Sequence, residues 1–170
     1  MGKLDKNIVK KIPSSVQKVG VFVNASFLEI QSYVEEYQLD VLQLHGKETP
    51  EECESLKSLN LPIIKAFSVG ENFDFAQLTP YEKVCNFFLF DTKGKEYGGN
   101  GLTFDWKILE DYDNSKPFFL SGGLDAQNIS QVSELSSLNL YGVDVNSKFE
   151  IEPAYKNISL LKESVFKQFR

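Results

Sequence analysis

The sequence predicts a parallel α/β protein, built as most of a closed (β/α) barrel, and three observations point there. Six short runs rich in β-branched and aromatic residues recur: Lys18–Val23, Asp40–Leu44, Ile63–Phe67, Phe87–Asp91, Pro117–Ser121 and Tyr141–Val145. Their starts lie 22, 23, 24, 30 and 24 residues apart, the length of one strand, one helix and two loops. The runs are apolar on both faces, as parallel strands covered by helices must be. Strands alternating with helices call for right-handed parallel crossovers. Six such units would also make an open doubly wound sheet; the near-uniform spacing favours the barrel.

The helices are read from their caps and periods. Asp5–Ile12 reads as a short helix ahead of the first strand. Ser26 with Glu29 forms a capping box, and Leu28, Ile30, Val34 and Tyr37 repeat at near-helical spacing. Thr49 and Pro50 supply an N-cap and a first-turn proline ahead of Cys53, Leu56 and Leu59. A third helix is expected after Leu124, capped by Asp125 and carrying Asn128, Ile129, Val132 and Leu135. The tail Ala154–Phe169 places Ile158, Leu161, Val165 and Phe169 at periods of three and four.

Composition narrows the function. The 170 residues, 42% hydrophobic and 25% charged, suit one domain over residues 1–170 with a sizeable core. A net charge of −6 with no long basic run argues against a nucleic-acid partner, whose phosphates need clustered Lys and Arg. Cys53 and Cys85 have no metal-site spacing and make no disulfide framework, so a reducing cytoplasm is expected. No apolar run reaches 18 residues and no charged-then-apolar leader is seen, so neither a membrane span nor a signal peptide is expected.

Chemistry in parallel α/β folds gathers past the carboxyl ends of the strands. Those positions hold Asn24; His45 and Gly46; Ser68; Asp91, Thr92 and Lys93; Gly122 and Gly123; and Asn146, Ser147 and Lys148. Asp91 ends an apolar strand, where partial desolvation suits a carboxyl to general-acid work. A helix cap or a salt-bridged loop aspartate fits that position equally. Gly122–Gly123 lets backbone N–H groups approach an anion, as Asn146–Ser147 would one strand later; a plain tight turn is the alternative. His45, the single histidine, is either structural or a ligand contact. Lys65, inside a strand, points toward an anion at the strand ends or snorkels outward between helices. Gly98–Gly101 reads as a loop able to close over a ligand, and both cysteines read as structural.

Seven blocks together resemble the phosphoribosylanthranilate isomerase family of tryptophan biosynthesis. They are Lys18–Asn24, Val41–Gly46, Ile64–Ala66, Phe88–Thr92, Gly98–Gly101 with Phe104–Trp106, Leu120–Leu124 with Asn128, and Gly142–Ser147 followed by Glu150. The resemblance implies a TIM-type (β/α)8 barrel and a cofactor-free, metal-free Amadori rearrangement. In that reaction N-(5-phosphoribosyl)anthranilate becomes 1-(2-carboxyphenylamino)-1-deoxyribulose 5-phosphate. It implies Asp91 as the general acid that opens the sugar ring, and Gly122, Gly123, Asn146 and Ser147 as the phosphate site with Asp144 in support. Gln43, His45 and Lys65 would line the substrate site.

Two departures qualify it. The family opens with a strand ending in Cys-Gly, whose cysteine is the general base, then a second strand and a Ser-Pro-Arg loop; none of these occurs in this sequence. Lys148–Phe149 replaces the usual small residue and valine. An incomplete, N-terminally truncated barrel with six of eight strands is therefore expected, inactive or nearly so alone. Its open strand edges would invite pairing of two copies. Against the isomerase stand an indoleglycerol-phosphate synthase relative, which should carry more lysines and glutamates at strand ends, and a non-catalytic barrel fragment binding phosphometabolites or a partner.

Overall fold

The structure, a computed structural model, describes residues 6–92 and 106–168. The first four helical or strand segments are α1 (Lys6–Val9), β1 (Val19–Phe22), α2 (Phe27–Tyr37) and β2 (Val41–Leu44). They are followed by α3 (Pro50–Leu56), β3 (Ile63–Val69), β4 (Phe87–Thr92), β5 (Phe118–Ser121) and β6 (Leu140–Val143). β7 (Glu150–Glu152), β8 (Tyr155–Lys156) and α4 (Ile158–Gln168) close the order. All six expected strands are present, in the sheet order β1-β2-β3-β4-β5-β6. Among the described residues no helix is long and apolar enough to cross a membrane.

The chain packs as two compact units. The first comprises residues up to Ala66 together with Leu78–Phe87. In it β1 pairs in parallel with β2, Val19 opposite Val41 and Phe22 opposite Leu44, and β2 pairs with β3, Leu44 opposite Lys65. Helix α2 starts where the Ser26 hydroxyl accepts the Glu29 N–H at 3.3 Å. Helix α3 has the full reciprocal box: Thr49 Oγ1 accepts from Glu52 N at 3.3 Å, and Glu52 Oε2 accepts from Thr49 N at 2.7 Å. Phe22, Ile30, Leu42, Leu44, Leu56 and Ile63 are buried, each large side chain contributing about 1.5–3 kcal/mol through removal from water. Val19 and Val21 remain exposed on β1, whose sheet neighbour is β2, and Val23 is exposed just after it.

The second unit holds Phe67–Gln77 and the chain from Phe88 onward. Phe88 stands opposite Phe118 and Asp91 opposite Ser121, while Leu120 pairs with Val143 after an irregularity between Phe118 and Phe119. Its core is aromatic. The Phe90 ring centroid lies 4.9 Å from that of Phe118 and 5.0 Å, edge-on, from that of Tyr112. The Tyr112 hydroxyl meets its polar need locally, donating to Lys116 O at 2.7 Å.

Several elements differ from expectation. The segment after Leu124 is a 3₁₀ helix, Ile129–Leu135, rather than an α-helix. The Asp125 carboxylate takes the Gln127 and Asn128 N–H groups at 2.8 and 3.0 Å, which closes a turn ahead of the helix instead of capping it. The Ser133 hydroxyl then donates to Ser130 O at 2.8 Å, the kind of local bond that competes with α-helical pairing. Helix α4 starts at Ile158, not Ala154, because Glu150–Lys156 forms the β7–β8 antiparallel pair with Ala154 turning at φ 67°. Asn157 caps α4, its Oδ1 accepting from Leu160 N at 3.0 Å. Strand β6 stops at Val143, leaving Asp144 beyond its end, and β3 continues to Val69, so Ser68 lies within a strand. Lys93, the Gly98–Gly101 loop, Phe104 and Phe169 lie outside the described residues.

Candidate functional site

In the second unit, β4 and β5 run in register so that Asp91 and Ser121 end their strands side by side. The chain after β5 turns through Gly122 and Gly123 at φ 89° and 66°, the left-handed region where glycine alone is unstrained. At Gly122 space matters as well as angle. A Cβ there would overlap the Thr92 carbonyl oxygen and sit 2.9 Å from Asp91 Oδ1, so the Asp91 carboxylate rests directly against this turn. At Gly123 a Cβ would meet nothing within 4 Å, so that turn faces open space.

The surrounding side chains hold the turn in shape. The buried Thr92 hydroxyl contacts Ser121 O at 2.9 Å and Gly122 O at 3.1 Å, donating its one hydrogen between them. Asn128 Nδ2 donates to Gly123 O at 2.9 Å while its Oδ1 accepts from Asp125 N at 2.9 Å. Asp144 donates its backbone N–H to Leu120 O at 2.8 Å and accepts from the Ser121 hydroxyl at 3.4 Å, bracing β5 from the next strand. Asp91 itself is half-buried. Beyond β6, Asn146, Ser147 and Lys148 are exposed. The Asn146 Oδ1 accepts from Lys156, whose ammonium also meets Glu150 Oε1 at 2.6 Å. The sequence pattern hides Lys156, because the tail from Ala154 reads as one continuous helix.

The first unit gathers a second polar cluster from the loops after β1 and β2 and from Lys65 within β3. Gln43 Nε2, on β2, lies 3.1 Å from Nδ1 of His45, the residue that follows the strand. Lys65 is buried, and it meets a carboxylate of the protein. Its Nζ lies 3.2 Å from Glu48 Oε2, with both side chains almost wholly buried, and contacts the carbonyls of Gly46, Ala66 and Leu44 at 2.9, 3.1 and 3.4 Å. Nothing in the sequence singles out Glu48. It stands one residue before the Thr49 cap, where an acidic residue reads as ordinary helix-start composition. Burial alone would push the Glu48 carboxyl up, but N–H bonds from Asn24 and its own backbone, with the Lys65 charge, outweigh it and hold the group below its ordinary value. Cys53 and Cys85 are both buried.

A family model described as N-(5'phosphoribosyl)anthranilate (PRA) isomerase matches residues 3–167. The chain belongs to this family. An N-(5'-phosphoribosyl)anthranilate isomerase of Parabacteroides distasonis is 43% identical over 151 residues, covering 89% of this chain and 68% of that relative. The Phocaeicola vulgatus isomerase is likewise 43% identical, over 146 residues, covering 86% of this chain and 71% of its own. Among solved structures, phosphoribosylanthranilate isomerase from Thermotoga maritima superposes with a TM-score of 0.81 at 33% identity, covering 96% of this chain and 78% of that one. A phosphoribosylanthranilate isomerase in complex with reduced 1-(o-carboxyphenylamino)-1-deoxyribulose 5-phosphate superposes at 0.79 with 29% identity, covering 96% and 76%. The fold class is thus the TIM-type α/β architecture of phosphoribosylanthranilate isomerases, and the family's chemistry is isomerisation in tryptophan biosynthesis.

Proposed function

We propose that this chain acts on N-(5'-phosphoribosyl)anthranilate, with Asp91 as the general acid of an aldose–ketose rearrangement. Asp91 protonates the ring oxygen of the ribose and so opens it, a role worth about 10²–10⁴ in rate for a positioned acid. The Gly122–Gly123 turn, with Asn146 and Ser147, binds the phosphate through backbone N–H groups and short polar side chains, and Asp144 supports the turn. Gln43, His45 and Lys65 contribute to substrate binding, with Glu48 pairing the Lys65 ammonium from within the protein. The observation that carries the reading is the contact between the Asp91 carboxylate and the Gly122 turn, an acid set beside an open anion-compatible backbone.

The resemblance assigns the base to a cysteine at a strand end, and Cys53 and Cys85 are both buried. Loss of phosphoribosylanthranilate fluorescence tests the acid: Asp91→Asn should abolish turnover while binding of the reduced product analogue persists. Turnover of the Asp91→Asn variant at the parent rate would contradict the assignment. The exposed valines of β1 support self-association of two copies along that edge, and a cytoplasmic setting fits an enzyme with two reduced thiols.

A further inference from the structure

We propose that Glu48 is a positioning residue whose carboxylate aims the His45 imidazole; this rests on the reading of His45 as a substrate contact. His45 is clamped on both sides through its backbone. Its own N–H donates to Phe22 O at 2.8 Å. The peptide that follows it points its N–H, that of Gly46, at the Glu48 carboxylate, 2.9 Å from Oε2 and 3.2 Å from Oε1. The same carboxylate accepts the Asn24 N–H at 2.8 Å, and Asn24, at φ 52°, returns its side-chain oxygen to Lys47 N at 2.7 Å. One buried carboxylate therefore ties the loop after β1 to the loop after β2.

The site is shaped for that carboxylate. A Cβ on Gly46 would overlap Asn24 Oδ1 and sit 2.6 Å from Glu48 Oε1, so the peptide reaches the carboxylate only because residue 46 is glycine. Glu48 is 4% exposed and Lys65 3%, and Lys65 neutralises it from beneath while also holding Gly46 O. The Glu48 backbone is anchored in turn, its carbonyl accepting from the Tyr81 hydroxyl at 3.1 Å. With the peptide after His45 fixed and Gln43 Nε2 3.1 Å from Nδ1, the ring has little freedom left. A pair that served stability alone would not need its carboxylate bonded to the peptide beside the single histidine.

Because His45 is the only histidine, its imidazole signals in long-range ¹⁵N–¹H spectra are unambiguous. In ligand-free Glu48→Gln the ring signals and tautomer ratio should shift and broaden, and affinity for the reduced product analogue should fall about tenfold or more, as loss of one charge-assisted bond in a binding loop predicts. Ile30→Ala, a buried position in α2, should lower the melting temperature while leaving the imidazole signals in place. Glu48→Asp keeps the charge beside Lys65 and folds even if the glutamine variant does not; its carboxylate, drawn back by one methylene, should displace the signals in the same direction. Unchanged His45 signals in the folded Glu48 variants, or equal shifts in Ile30→Ala, would overturn the proposal. If the analogue fails to move the His45 signals of the parent chain, the substrate-contact reading fails instead, and the ligand-free spectra still decide the positioning role.

Discussion

Both units use a lysine–glutamate pair to fix a loop beyond a strand's carboxyl end, and the two pairs differ in how far water reaches them. Lys65 and Glu48 are 3% and 4% exposed, whereas Lys156 and Glu150 are 34% and 15% exposed. In the first pair the charges have left water, so each depends on the other and on the surrounding N–H and C=O groups for its solvation. In the second, solvent substitutes for a lost partner. The anion-compatible turn of the second unit relies on neither pair: Gly122 and Gly123 are set by left-handed backbone and by the side chains of Thr92 and Asn128. The lesson is that a binding loop can be held by buried charge or by backbone geometry, and the two fail differently.

The largest expected effect comes from halving the buried pair. Lys65→Met should cost about 3–5 kcal/mol in chemical denaturation, since it strands a buried carboxylate. A loss below about 1 kcal/mol, the range of solvated pairs, would mean that water already reaches Glu48. Next is Gly122→Ala, which forces a side chain against the Thr92 carbonyl and into a left-handed backbone; about 1–3 kcal/mol of strain and loss of analogue binding in calorimetry are expected. Unchanged binding would separate this turn from the ligand.

Acid sharpens the comparison further. Glu48 has a folded-state carboxyl held below its ordinary value of 4.5, so its contribution is present above that value and is lost as pH falls through the lower folded-state one. Thermal unfolding followed from neutral pH into the acid limb should therefore show a steeper decline for the parent than for Glu48→Gln, where parallel curves would refute the linkage. The smallest effect belongs to the outer pair: Lys156→Met should change stability by no more than about 1 kcal/mol. A loss as great as that from Lys65→Met would erase the distinction between the two pairs.

Much of this was legible in the residues. The strands carried continuous apolar runs, and Ser26 and Thr49 both cap their helices, Ser26 accepting from the Glu29 N–H that its spacing named. The juxtaposition of Asp91 with the Gly122 turn was implicit in the strand ends, because parallel strands in register bring those ends together. What escaped was set by tertiary contact. A glutamate beside a helix cap looks the same whether it meets water or a buried lysine, and only the β2–β3 register puts Lys65 opposite Leu44 and near Glu48. The helix expected after Asp125 failed as an α-helix for a local reason, the Asp125 carboxylate and the Ser133 hydroxyl taking backbone bonds. The β7–β8 pair was hidden because the expected tail helix began at Ala154, inside the turn between the two strands.

The central claim is that the turn beside Asp91 is the anion site. Backbone amide spectra recorded while the reduced product analogue is titrated into the 170-residue chain test it most directly. The account predicts that Gly122, Gly123 and Ser147 amides move together, with one saturation curve, and that inorganic phosphate moves the same three. Saturable shifts that leave these amides untouched would contradict it.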